Sequence, residues 1–445
     1  MTEPPRPRIF LDGYNLALEQ GTGVATYARN LSYALGRLGY GTGVLYGTRA
    51  AASAEGLLRE IGFFDEKGPA LGALQLALRR GKGLLRALGG ETAWPVPVTG
   101  AVVQDGLAER LPHFDELWNA QDLFQQAAVN FRLLGGRLKA RVAPAPALMH
   151  WTYPLPLRLP GALNLYTLHD LVPLRLPYTT LDNKARYWRL VRMLARRADH
   201  VVTVSEASRR DIINLLGCAP ERVTNTYQAV EVPAALRDLP AEMAAAEVRG
   251  SLGLEPDGYW LFFGAIEPKK NVARLVQAYL ASGVEAPLVI AGKRAWKSDE
   301  ELRLLDDLLR RGREAGPGGR PRVVMLDYVP QRLLVGLIRG ARAVLFPSLY
   351  EGFGLPALEA MQLGTPVITS NTAALPEVVG DAALTVDPYD ISALVRAIQA
   401  VEHDPALRAR LAAVGPERAA LFSPERYAAR LARLYTGLGV PPPAG

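Results

Sequence analysis

Residues 346–361 run Phe346-Pro347-Ser348-Leu349-Tyr350-Glu351-Gly352-Phe353-Gly354-Leu355-Pro356-Ala357-Leu358-Glu359-Ala360-Met361, and the rest of the chain is best understood from them. They follow the apolar run Ala343-Val344-Leu345-Phe346, of the kind a buried parallel strand shows. Pro356 suits the first turn of a helix and Gly364 its end. A second apolar run, Pro366-Val367-Ile368-Thr369, then begins. The pattern predicts strand, glycine loop, short helix, strand, which is one βαβ unit. Gly352 and Gly354 allow close approach of a ligand to the backbone, and the helix N-terminus behind them offers N–H groups and a positive dipole end that favour a phosphate.

Glu351 falls in the loop and Glu359 about one helical turn in. Both belong at the carboxyl end of the strand, where open α/β sheets bind ligands. Carboxylates beside an anion site repel a bare phosphate. The combination is consistent if they accept hydrogen bonds from hydroxyls, such as those of a sugar and a ribose, while backbone N–H groups and lysines hold the anion. The alternative for an isolated pair is an ordinary acidic first turn on a helix N-terminus.

Length and composition bound the answer. The chain has 445 residues, too many for one core and enough for two domains. Hydrophobic content of 49% and charged content of 21% are ordinary for a globular protein. A single cysteine, Cys218, excludes an internal disulfide and fits a reducing compartment; its neighbours Leu215-Leu216-Gly217 suggest a packed residue. No apolar run approaches about 18 residues and the N-terminus lacks a signal-peptide core, so a cytoplasmic protein is expected, with the inner membrane face as a further option. The net charge of +7 points to an acidic partner: nucleic acid, anionic lipid or a nucleotide-sugar. No zinc spacing, Walker lysine motif or repeat is present, and no carboxylate cluster reads as a metal site. The basic residues alternate with apolar ones and carry no recognition motif, which argues against nucleic acid.

Elsewhere, Arg8-Ile9-Phe10-Leu11-Asp12 reads as the first strand, and Gly21-Thr22-Gly23 opens a helix, by anion approach or as a plain tight turn. Leu71, Leu74, Leu78, Leu85 and Leu88 interleave with Arg79, Arg80, Lys82 and Arg86; such a stretch can lie on an anionic membrane or pack as a surface helix broken by Gly81 and Gly83. Leu163 to Asp170 alternates and ends in His169-Asp170, a polar pair in the ligand-facing position of a sheet or a turn that caps the next element; His150 is a lesser candidate. Asn183 to His200 carries Arg186, Arg189, Arg192, Arg196 and Arg197 opposite an apolar face. Ser205 caps a helix from Glu206. Glu267-Pro268-Lys269-Lys270-Asn271 leads from the buried strand Trp260 to Phe263 into a helix. Its two lysines are suited to a diphosphate or, on charge alone, simply solvated.

Glu351 and Glu359, with E-x7-E spacing inside this extended string, closely resemble the donor-site motif of the retaining glycosyltransferases of family 4. The resemblance implies the GT-B fold: α/β, two Rossmann-like domains with parallel sheets facing each other across a cleft. It extends to Gly23, to Thr167-Leu168-His169-Asp170, to Pro268-Lys269-Lys270-Asn271 with Lys269 in place of the usual arginine, and to Pro376-Glu377-Val378. It covers nearly all of the second domain and scattered blocks of the first. Asn225 to Val230 departs from the short asparagine–glycine turn common in the family. Domain limits of 1–235 for an acceptor domain elaborated at about 50–140, 236–422 for a nucleotide-sugar donor domain, and 423–445 for a helix crossing back are expected.

By this resemblance, the donor is bound by Gly23, Lys269, Lys270, Glu351, Gly352, Phe353, Gly354, Leu355 and Glu359, with Glu351 on sugar hydroxyls and Glu359 on the ribose. His169, Lys270 and Glu351 are the candidate catalytic residues, His169 as an acceptor-side contact or proton relay. No metal or other cofactor is expected. The style of the motifs resembles the bacterial surface-polysaccharide branch. That implies hexosyl transfer, with mannose from GDP-mannose, to a lipid-linked or glycan acceptor, and possible peripheral contact with anionic membrane. A GT-B-like sugar-nucleotide-binding scaffold without chemistry is the rival; Glu351, Glu359 and Lys270 are the residue types the chemistry needs and argue against it.

Overall fold

The computed structural model describes residues 6–16, 23–50, 52–65, 90–102, 112–295, 303–314 and 321–443. The basic amphipathic stretch at 71–88 and the first glycine of the N-terminal loop, Gly21, lie outside the described residues.

Two parallel sheets carry the structure. Across the first, the strands run Val223–Asn225, His200–Thr203, Leu163–Thr167, Leu148–Trp151, Arg8–Asp12, Gly41–Tyr46, Glu116–Asn119 and Trp94–Val96. Each pairing is parallel except the last, where Trp94–Val96 runs antiparallel to Glu116–Asn119. Across the second, the order is Val323–Leu326, Leu288–Ala291, Trp260–Phe263, Ala343–Phe346, Val367–Ser370 and Leu384–Val386, parallel throughout. Trp260–Phe263, Leu288–Ala291, Ala343–Phe346 and Val367–Ser370 are buried at every residue, which is why they read as continuous apolar runs instead of alternating ones.

The strand orders decide where a ligand can sit. In the second sheet the chain builds outward from Trp260–Phe263 on one side, then returns to place Ala343–Phe346 on the other. The loops leaving the carboxyl ends of these two neighbours diverge, which opens a crevice at the reversal point. One loop carries Lys269 and Lys270; the other carries Glu351 to Gly354. The first sheet reverses in the same way between Arg8–Asp12 and Leu148–Trp151. The segments leaving that reversal and the adjacent strand carry Asp12, Thr152 and His169.

The two crevices meet. A Cβ built on Gly352 would lie 2.9 Å from the His169 carbonyl oxygen and 3.0 Å from the Asp170 side chain. The carboxylate of Glu377, in the second half, accepts hydrogen bonds from the backbone N–H groups of Glu206 (2.9 Å) and Ala207 (2.8 Å), at the N-terminus of the first-half helix Glu206–Leu216. That position supplies unsatisfied donors and a positive dipole end. Ser205 caps the same helix from within, accepting from Ser208 N–H.

The last helix, Pro424–Gly437, packs on the first, Gly23–Arg37. The Tyr435 hydroxyl lies 2.7 Å from His150 Nδ1, and the Val440 carbonyl accepts from the Tyr40 hydroxyl at 2.8 Å. Helix Pro405–Ala419, which the sequence reading passed over, packs on Leu355–Gln362 and holds Pro416 within it. Cys218 is buried, as its neighbours suggested.

Candidate active site

The lysine turn and the glycine loop are locked to one another by backbone contacts. Pro268–Lys270 forms a single 3-10 turn that ends at Asn271, held at φ 62°. The Asn271 side-chain amide donates to the carbonyls of Pro347 (3.0 Å) and Pro388 (2.8 Å). Leu349 N–H donates to the Lys269 carbonyl at 2.7 Å. The geometry of one loop therefore fixes that of the other.

Within this frame, the Lys270 ammonium donates to Glu351 Oε1 at 2.6 Å and lies 4.6 Å from the centroid of the Phe346 ring. Both ends of this pair are buried. Lys269 is 4.0 Å from the other Glu351 oxygen and 3.4 Å from Glu267. Burial works against the Lys269 ammonium, but the carboxylates of Glu351, Asp170 and Glu267 outweigh it and hold its pKa above the usual lysine value. Burial likewise works against the Glu351 carboxylate, and Lys270 and Lys269 outweigh it, so its pKa stays below the ordinary glutamate value. Lys269 is therefore charged and Glu351 ionised. The alternative of a solvated lysine pair does not hold for Lys270.

Gly354 sits at φ 106° immediately before helix Leu355–Gln362, and a Cβ there would fall 2.6 Å from Leu375 Cδ2. A side chain at this position is excluded by conformation and by space. The first turn of that helix leaves its N–H groups without intrahelical partners, beside the lysines. Gly23 opens helix Gly23–Arg37, and a Cβ on it would be 3.4 Å from Leu355 Cδ1. Two helix N-termini, one from each half, thus converge, and both favour negative charge between them. Phe353 is buried, its ring 6.4 Å from Tyr227 and 5.5 Å from Phe422. Glu359 occupies the same short helix in a different electrostatic setting. Burial, with no basic group to offset it, pushes its pKa up to about 7.

On the opposite wall, His169 Nε2 lies 2.9 Å from the Thr152 carbonyl oxygen. A carbonyl only accepts, so Nε2 carries the proton and Nδ1 is the basic nitrogen. The ring is edge-on to Tyr27 at 4.7 Å. Burial lowers the His169 pKa, with the Thr152 bond and the Asp170 charge opposing, so the imidazole is held towards its neutral form. His150 has a different role. It is fully buried among Tyr435, Thr167 and Tyr27, and burial lowers its pKa to about 3. It ties the last helix to the first sheet.

The structure brings Lys269 and Lys270 to Glu351, Gly352 against His169 and Asp170, and Gly23 against Leu355; Gly354 opens the helix on which Glu359 lies, and Phe353 packs inward on Tyr227 and Phe422 instead of lining the crevice. Sequence reasoning missed Tyr227. This residue adopts φ 56°, an uncommon conformation for an aromatic side chain. Its ring is 5.3 Å from Phe422 and 5.0 Å from the Arg430 guanidinium, and its hydroxyl lies 3.4 Å from Glu377 Oε2. The signal was present: it stands where the family commonly has an asparagine–glycine turn. Among the described residues, no group of three or more His, Cys, Asp or Glu side chains is arranged to hold a metal ion.

A family model described as Glycosyltransferase Family 4 matches residues 116–232, and one described as Glycosyl transferases group 1 matches residues 246–418. O-antigen chain mannosyltransferase B of Escherichia coli is 36% identical over 276 residues, which cover 60% of this chain and 68% of that protein. The chain belongs to glycosyltransferase family 4. Serotype-specific mannosyltransferase WbdA of Escherichia coli is 30% identical over 57% of this chain, which spans only 31% of that longer protein. Sucrose-phosphate synthase from Thermosynechococcus elongatus superposes with a TM-score of 0.63 at 20% identity, covering 98% of this chain and 99% of that one. The fold is GT-B.

Two measurements check this account of the site. Lys270→Ala leaves the Glu351 charge buried without its partner and is expected to cost about 3–5 kcal/mol of stability. The double variant Lys270→Met/Glu351→Leu is expected to recover most of that loss in denaturant unfolding, whereas a simple packing role for Lys270 predicts additive losses. For Glu359, folding raises the pKa from 4.5 to about 7, so the folded chain holds a proton that the unfolded chain has released between those values. Its stabilising contribution is present below pH 4.5 and is lost as pH rises towards 7. Glu359→Gln is expected to flatten the stability–pH curve across that window, and an unchanged slope would remove Glu359 as a desolvated carboxylate.

Proposed function

We propose that this family 4 enzyme is a retaining, metal-independent glycosyltransferase that moves a hexose, mannose, from a nucleotide-diphosphate sugar, GDP-mannose, to a lipid-linked or glycan acceptor in cell-surface glycan synthesis. The observation that carries it is the buried Lys270–Glu351 pair, with Lys269 alongside, at the N-terminus of helix Leu355–Gln362. The mannosyl assignment rests on the relatives named above, of which the chain spans 68% and 31%. In this reading residues 1–235 face the acceptor, 236–422 hold the donor, and 423–445 cross back.

The reaction breaks the bond between the anomeric carbon and the diphosphate oxygen, so negative charge grows on the leaving group. Lys269, Lys270 and the backbone N–H groups near Phe353, Gly354 and Leu355 meet that charge in fixed positions; one such donor typically lowers a barrier by about 3 kcal/mol. These cations do the work a divalent metal does elsewhere. Glu351, held ionised by the lysines, accepts hydrogen bonds from sugar hydroxyls, and Glu359 from the ribose. Neither is asked to be a covalent nucleophile. The acceptor oxygen attacks from the face the diphosphate leaves, and its proton passes to a leaving-group oxygen. His169, neutral and with Nδ1 available, contacts the acceptor.

We place the enzyme in the cytoplasm at the inner face of the membrane. Among the described residues no helix is long and apolar enough to cross a membrane. Helix Lys184–Arg197 supports peripheral contact: Trp188 is 38% exposed beneath the Arg192 guanidinium at 4.6 Å, with Arg186, Arg189, Arg196 and Arg197 on the same helix. Anionic lipid attracts such a basic face.

Thermal unfolding in the presence of GDP, UDP, ADP and TDP tests the donor assignment. GDP at a hundred times its Kd is expected to stabilise the protein by about 2.7 kcal/mol and raise Tm accordingly. A shift with another nucleotide alone would replace the base, and no shift with any would sink the reading.

A further inference from the structure

Where the strand order of the first sheet reverses, the two departing loops are fastened by a buried acid. Asp12 ends strand Arg8–Asp12 and is fully buried. Thr152 follows the paired strand Leu148–Trp151. Asp12 Oδ2 accepts from the Thr152 backbone N–H, and Oδ1 accepts from the Tyr14 N–H at 3.3 Å. Each oxygen therefore holds a different loop, and the Tyr14 and Tyr153 rings of those loops stack at 5.5 Å. Only an ionised carboxylate offers an acceptor on both sides; an amide or a protonated acid turns a donor towards one of the two N–H groups. Among the described residues no cation pairs with Asp12, and burial pushes its pKa up to about 6 against the Thr152 and Tyr14 bonds.

The Thr152 end of this fastening reaches the crevice. The Thr152 carbonyl accepts from His169 Nε2–H at 2.9 Å. Tyr27 holds the imidazole from another side, its ring edge-on at 4.7 Å and its hydroxyl 2.9 Å from Thr167 Oγ1. His169 Nδ1 makes no hydrogen bond among the described residues. With Tyr153, Asp170, Asp182 and Tyr187, His169 lines a cavity of about 130 Å³ beside Gly352 of the donor loop. Which imidazole nitrogen is basic is set by the bond the other one makes. Here that bond is to a carbonyl whose own residue is held by Asp12.

We propose that Asp12 is a positioning residue of the transfer reaction. By holding the Thr152 backbone it fixes the Thr152 carbonyl, and through that carbonyl it keeps His169 oriented with Nε2 protonated and Nδ1 free. The proposal rests on the reading of the chain as a glycosyltransferase in which His169 contacts the acceptor. Asp12 itself touches no substrate in this arrangement.

The titratable groups around Asp12 leave its own titration distinct. The Tyr27 and Tyr46 hydroxyls are coupled to it, and burial holds both above the usual tyrosine value. Arg29 lies near Tyr46 in turn. His150, on the paired strand, is held at about 3.

NMR of the full chain labelled with 15N at histidine tests the proposal, with His169→Gln to identify the His169 signals. Well above pH 6 the wild type is expected to show His169 protonated at Nε2, with a ring proton protected from water. Asp12→Ala is expected to speed exchange of that proton about tenfold, the scale of one buried hydrogen bond. Asp12→Asn keeps an acceptor for Thr152 and is expected to retain the protected proton. The wild-type His169 signals are expected to carry a titration step near pH 6 that Asp12→Asn lacks. A merely structural Asp12 would lower Tm in both variants and leave the His169 signals alone. Unchanged exchange in Asp12→Ala overturns the proposal, as does a wild type that titrates like Asp12→Asn. The second comparison decides alone if Asp12→Ala does not fold. Signatures as expected in a protein that binds no nucleotide would refute the transferase reading, and the reaction role with it. Their absence in a protein that binds GDP would refute the placement of Asp12 alone.

Discussion

The Lys270 ammonium and the Glu351 carboxylate meet at 2.6 Å in a place nearly closed to water. Each charge is expensive to bury alone, and each is stable there because the other is present. The pair forms only because two loops that are distant in sequence leave adjacent strands at the point where the second sheet reverses direction. The Asn271 amide, bonded to both Pro347 and Pro388, holds those loops in register. Move either loop and the site has an uncompensated buried charge. The same constraint holds Lys269 among the carboxylates of Glu351, Asp170 and Glu267, beside the N-terminus of helix Leu355–Gln362.

The second dependence is on the junction between halves. Glu377 caps a helix of the first half, Gly352 packs against His169 and Asp170, and the Tyr227 ring packs against both Phe353 and Phe422. None of these contacts is large. Together they set the distance between the two walls of the crevice. Glu351 and Glu359 illustrate how the surroundings assign roles to identical side chains. One is kept ionised by two lysines, and the other is pushed towards neutrality by burial without a cation.

Much of this was legible in the sequence where local chemistry and local structure coincide. The glycines, Pro356 and the flanking apolar runs define a strand, loop and helix within a few residues, and the parallel strands announce themselves because both faces are covered. Ser205 could be placed as a cap for the same reason. What could not be read depends on contacts between distant segments. Lys270 looked equally like a solvated lysine until Glu351, far along the chain, was brought beside it. His150 resembled a site residue until Tyr435 from the last helix closed over it. Tyr227 was visible only as a departure from a family turn, because its function is to pack between two halves. Of the cavity lined by Tyr153, His169, Asp170, Asp182 and Tyr187, only the His169-Asp170 pair gave a sequence signal, since the other residues come from separate segments.

The central claim is that the buried lysine–glutamate pair marks where the donor diphosphate binds. A crystal structure with GDP bound tests it most directly. Diphosphate oxygens are expected within hydrogen-bonding distance of Lys269 or Lys270 and of the backbone N–H groups at the start of helix Leu355–Gln362, with the ribose beside Glu359. A diphosphate bound elsewhere, with the Lys270–Glu351 pair undisturbed and remote from it, would contradict the account.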